Sequence, residues 1–174
     1  MRLIKSALLA VTLALTTTPA FAAPTEVDHA IPGAQQVGAA RYQMLAISLF
    51  DAELYSASGA FAWRQPFALS ITYQRSFSAR TLANRGLQEM SQHGGGTAAE
   101  LAPLGPHLQA CFADVSRGDR ITGVATGPDS AQFYYNGRPR CEIEWPGFRR
   151  AFFSIWLDAR GGQRAFSQQL RGGR

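Results

Sequence analysis

The side chains best suited to chemistry in this sequence are one arginine, a histidine followed by three glycines, and two cysteines. Arg41 heads the apolar stretch RYQMLAISLFDAELY, residues 41–55. A guanidinium at the edge of an apolar cleft pairs bidentately with a carboxylate or another planar anion. His93-Gly94-Gly95-Gly96 has the form of an oxyanion-hole loop, whose backbone N–H groups would meet a developing negative charge. That chemistry also needs a nucleophile elbow, and no Gly-x-Ser-x-Gly occurs, so the stretch reads as a helix stop followed by a loop. His29 and His107 are isolated and read as surface histidines; no metal or other cofactor is expected. Cys111 and Cys141 have neither a CxxC spacing nor a histidine pair, which argues against zinc.

The compartment decides how those cysteines are read. Arg2 and Lys5 precede an apolar run, Ala7 to Leu15, which ends at Ala20-Phe21-Ala22. This charged, apolar and small-residue order is that of a secretory signal covering residues 1–22, cleaved after Ala22. The apolar run falls far short of the ~20 residues needed to span a bilayer. The expected location is therefore outside the cytoplasm, in a bacterial periplasm. Two buried thiols remain an alternative there, but an oxidising compartment favours a Cys111–Cys141 disulfide, closing a loop of about 30 residues worth about 3 kcal/mol. The chain carries a formal net charge of +5, part of which leaves with Arg2 and Lys5. The remaining arginines are scattered among acidic neighbours, without the basic run or aromatic interleaving of a nucleic-acid groove. No nucleic-acid partner is expected.

The elements that must position these groups follow from periodicity. Residues 23–37, rich in Pro, Gly and Gln, read as a flexible N-terminal arm, and 38–174 as a single domain. Residues 41–55 are apolar at odd and even positions alike, which predicts a long central strand covered on both faces. Phe67 to Gln74 alternates as a strand with one face on a core. Ser78 caps a helix that Phe77 and Leu82 staple and Gly94 stops. Leu104 to Phe112 reads as a short helix behind Pro106, and Arg120 to Thr126 as a strand. Asn136-Gly137 joins two strands in the strongest hairpin signal of the chain. Phe148, Phe152, Ile155 and Trp156 form an aromatic stripe on a helix to Leu157, read as core packing rather than a ligand cradle. Arg164 to Leu170 makes the last helix.

The order and spacing of LAISLFDAELY (45–55), DVSRGDRITGV (114–124), FYYNG (133–137) and PGFRRAFFSIWLD (146–158) resemble the chalcone isomerase-like family, particularly its bacterial exported branch. The resemblance implies an α+β fold, a large, mostly antiparallel sheet with a helical layer on one face and a ligand cleft between them. Plant members of that family close chalcones to flavanones; other members are non-catalytic, and some bind fatty acids through an arginine and a tyrosine. Arg41 matches the family arginine. The other catalytic positions fall on Leu45, Ser78, Arg85 and Ile155, with Ser154 adjacent. Ring closure needs donors around an oxygen that gathers negative charge, and with Leu45 and no evident tyrosine that network is largely lost. The expectation is a non-catalytic protein that binds an amphipathic or anionic, fatty-acid-like small molecule, with Arg41 as its anchor and no catalytic residue assigned. The alternatives are an intramolecular lyase or isomerase acting on a chalcone-like enone, and an interaction module of the cell envelope.

Overall fold

Two tight hairpins solve the same geometric problem with different residues. Asn136 (φ 49°) and Gly137 (φ 80°) join β5 (Ser130–Tyr135) to β6 (Arg138–Glu144). Leu45 (φ 48°) and Ala46 (φ 64°) join β1 (Gln35–Met44) to β2 (Ile47–Ser56). Two-residue hairpins favour left-handed backbone at both central positions, which asparagine and glycine adopt readily. A leucine or alanine there costs about 1–2 kcal/mol. The stretch 41–55 is therefore two antiparallel strands folded at Leu45-Ala46, and the single central strand expected from its pattern is corrected. Tyr42 and Met44 fall on β1 and Ile47, Leu49, Phe50, Ala52 and Leu54 on β2, and the bend carries no Gly, Asn, Asp or Pro to announce it.

A computed structural model describes residues 22–158 and 163–173. The expected leader lies outside these residues except for Ala22. The six strands run in sequence order, each antiparallel to the next, with β3 (Phe67–Tyr73) and β4 (Arg120–Ala125) at the centre. Leu54, Leu69, Gly123 and Phe133 stand side by side across β2 to β5, so one face is apolar. On it lie α2 (Ala79–Gln92), α3 (Ala98–Leu101), α4 (Gly105–Cys111), α5 (Phe148–Leu157) and α6 (Arg164–Leu170). This is the expected α+β architecture with a helical layer. Ser78 caps α2 by accepting a hydrogen bond from the Thr81 N–H at 3.1 Å, and Gly94 takes the left-handed conformation (φ 78°) just beyond its end.

The other sheet face is covered in part by α1 (Thr25–Ala30), within the segment expected to be a flexible arm. Val27 and Ile31 pack on Tyr55, Ala68 and Val124. Glu26 is buried and accepts hydrogen bonds from Arg120 Nε (3.1 Å), Arg120 Nη2 (2.8 Å) and Thr122 Oγ1 (2.9 Å). The arm is thus a docked helix leading into β1. A helix of fewer than two turns is too short to show a period, and its anchor comes from residues far along the chain.

The margins of the sheet are tied as well. Cys111 at the end of α4 and Cys141 on edge strand β6 form a disulfide, their Cα atoms 5.4 Å apart. Beside it Arg140 donates to the carbonyl oxygens of Cys111 (3.0 Å) and Phe112 (3.2 Å), a cation at a helix C-terminus. At the opposite edge a Cβ on Gly38 would lie 2.5 Å from the Gln169 carbonyl oxygen, so only glycine lets β1 meet the end of α6.

Replacing Glu26 with alanine leaves Arg120 partly solvated but strips α1 of its polar anchor, and is expected to lower unfolding free energy by about 2 kcal/mol in a urea titration. Thiol titration of the denatured, unreduced protein is expected to find no free cysteine.

Candidate functional site

The helical layer does not close fully on the sheet. Between them lies an apolar cavity of about 330 Å³, with Tyr42, Phe50, Leu69, Ile71 and Tyr73 on the sheet side and Leu82, Gly86, Phe152 and Trp156 on the helical side. Small-molecule sites commonly span ~300–1,000 Å³. Gly123 and Gly86 contribute no side chain, but in different ways. A Cβ on Gly123 would press on the Phe133 and Phe153 rings at 3.1–3.2 Å, whereas one on Gly86 would meet only Phe152, at 3.9 Å. Gly123 lets rings approach the sheet; Gly86 leaves open space.

Those rings hold each other. Phe152 stacks on Phe148 with centroids 5.1 Å apart and meets Phe133 and Trp156 edge to face at 5.4 and 5.1 Å. Phe148 is fully buried core, while Phe152, Phe153, Ile155 and Trp156 also line the cavity. The α5 stripe is therefore both core and cavity wall. Sequence periodicity located the stripe but could not show that part of it borders empty space.

Polar groups gather toward α2. Arg85, Glu89 and His93 recur at four-residue spacing on one helix face. Arg85 Nη2 lies 2.5 Å from Glu89 Oε1, and Arg85 Nη1 donates to Gln88 Oε1 at 3.2 Å. His93 Nε2 lies 3.7 Å from Glu89 Oε2, and His93 Nδ1 is buried without a hydrogen-bond partner. Arg85 and Glu89 line the apolar cavity; with His93 and Tyr42 they continue into a shallower polar groove. Deeper in, the Tyr73 hydroxyl has no hydrogen-bond partner among the described residues. Burial pushes its hydroxyl above the usual phenol range, so it stays a protonated donor.

The residues expected from the sequence are spread more widely. Arg41 does not line the apolar cavity. Its neighbour Tyr42 does, and strand alternation turns Arg41 to the opposite sheet face, where its Nε and Nη2 donate to Asp51 Oδ1 (2.6 Å) and Oδ2 (3.1 Å). Gln74 also donates to Asp51, at 2.7 Å. The Arg41 hydrogen bond holds the Asp51 carboxyl below its usual range, so its stabilising effect is present above that range and fades as pH falls through the lowered value. Arg41 borders the polar groove but not the apolar chamber. Leu45 is 91% exposed at the hairpin apex. Ser78 is a helix cap, Ser154 donates to the Ala151 carbonyl, and Ile155 lines the cavity. Among the described residues Arg85 is the cation brought to the cavity, a residue the sequence marks only as a position on which a family catalytic residue falls. The glycines after His93 form a loop in which a Cβ on Gly95 would lie 2.9 Å from the Ala151 Cβ, a close-packing role.

The sequence profile of the family described as chalcone isomerase-like matches residues 42–172. No curated protein matches the chain. Among solved structures, the crystal structure of an Arabidopsis thaliana fatty-acid binding protein superposes with a TM-score of 0.64 at 6% identity, covering 81% of this chain and 88% of that one. An identity that low speaks to fold alone. The family match covers most of the chain, and its strand order, helical layer and intervening cavity agree with it: the protein belongs to the chalcone isomerase-like family.

Proposed function

We propose that this is an exported, non-catalytic binding protein that holds a small amphipathic, lipid-like molecule, its apolar part in the cavity and its polar head toward Arg85. The observation that carries the reading is a cavity walled by interlocked aromatic and aliphatic side chains, whose ionic groups among the described residues, Arg85 and Glu89, both come from α2. A carboxylate head would share the Arg85 guanidinium, which keeps donors beyond those engaged by Glu89 and Gln88. The structural likeness to a fatty-acid binding protein supports a ligand of this kind. Export is supported by the leader pattern and is compatible with the disulfide. Ring closure of an enone would need several donors converging on one oxygen. Tyr73 and an Arg85 already paired with Glu89 suit the holding of a headgroup better.

Displacement of a fluorescent fatty acid tests this reading. Gly86→Leu projects a side chain into the chamber and is expected to abolish binding. Gly86→Ala keeps the space and is expected to raise unfolding free energy by about 0.5–1 kcal/mol through reduced chain entropy. Arg85→Ala is expected to weaken a carboxylate ligand about tenfold, and Arg41→Ala to leave it unchanged. No saturable binding, or consumption of a chalcone faster than in buffer, would overturn the proposal.

A further inference from the structure

Met44, Leu45 and Ile47 are the exposed large hydrophobic residues among those described, at 48%, 91% and 47% exposure, and all belong to the β1–β2 apex. Turn geometry does not ask for them there. The β5–β6 hairpin makes the same kind of turn with Asn136-Gly137, whereas this one holds a leucine and an alanine in left-handed backbone. The apex also adjoins the cavity mouth. Met44, Thr81 and Arg85 each line the cavity and are each exposed, which places the opening between the hairpin and α2.

The surroundings of this apolar tip are cationic. Arg75 directly follows Gln74, whose N–H bonds to the Leu49 carbonyl, and Arg80 lies in the first turn of α2. Arg117 sits in the turn whose Gly118 N–H bonds to the Tyr73 carbonyl. All three are exposed and none is ion-paired among the described residues. Of the nearby carboxylates, Asp51 is paired with Arg41, whereas Asp114 and Asp119 accept from the neutral Ala79 N–H, Asn136 and the Ser116 N–H and offset part, not all, of the positive charge.

We propose that the β1–β2 apex docks the protein on a phospholipid bilayer, with Met44, Leu45 and Ile47 entering the acyl boundary and the surrounding arginines facing anionic headgroups. Apolar area and headgroup attraction add in such binding, as they do for interfacial helices. Docking would set the cavity mouth against the bilayer. That the cavity then takes its ligand from the membrane rests on the proposed function; the docking itself does not.

Co-sedimentation with vesicles of phosphatidylethanolamine and phosphatidylglycerol tests it, using the full mature protein and a Leu45→Asn, Ala46→Gly variant. The variant installs favoured turn residues, so its thermal midpoint should equal or exceed that of the parent, and its binding of a fluorescent fatty acid in vesicle-free solution should be unchanged. The parent is expected to sediment, more weakly as salt rises, and the variant to bind the vesicles roughly tenfold less. Equal sedimentation of the two, no sedimentation of the parent, or a parent dimer that the variant converts to monomer without vesicle binding would each overturn the proposal. Vesicle binding retained by Gly86→Leu would separate docking from any failure of the cavity reading.

Discussion

The depth of the space between sheet and helices depends on aromatic rings that cannot fold away. Phe153 meets Phe67 edge to face at 5.0 Å, above the bare backbone of Gly123, while Phe152 is wedged among Phe133, Phe148 and Trp156. Aliphatic side chains could change rotamer and collapse into a void; interlocked rings have few alternatives. The cavity is consequently a property of the packed core rather than of a loop. An apolar void of this size is itself destabilising, since the cost of a cavity grows with its volume. A ligand that fills it would recover lost dispersion contacts, so binding and stability are coupled.

Much of the architecture was legible because it rests on local chemistry. The Ser78 cap, the Asn136-Gly137 turn and the strand of Phe67 to Tyr73 each carry their own signal and form where the sequence predicts, although the strand's second face is buried as well, at Ala68 and Ser70. The β1–β2 hairpin was hidden because its turn residues are those of a strand, and only the sheet pairing that Arg41↔Asp51 registers forces the chain to bend. The bend also decides which strand carries Arg41. Arg41 lies on edge strand β1, facing away from the apolar cavity, and among the described residues the cation that lines the cavity is Arg85 on α2.

The far face of the sheet shows another limit of local reading. Nothing near Glu26 foretells its burial, because its partners Arg120 and Thr122 reach it only once β4 has joined the sheet, and Thr122 extends the network to Ser70 at 3.0 Å. A buried carboxylate needs such compensation. Fold family and layer order could be read from patterns along the chain, whereas α1 docking and the Arg85-Glu89-His93 side of the cavity depend on which surfaces meet in space.

The contact at Gly38 also bears on how the protein is made. Five neighbouring strand pairs are consecutive along the chain and can zip as it emerges, yet the first strand finishes its packing only against α6, around Gln169. Until α6 is in place, β1 remains an unguarded edge able to pair with other chains. Completion of the fold thus waits for α6, and a chain in which α6 has not docked remains open to chaperones.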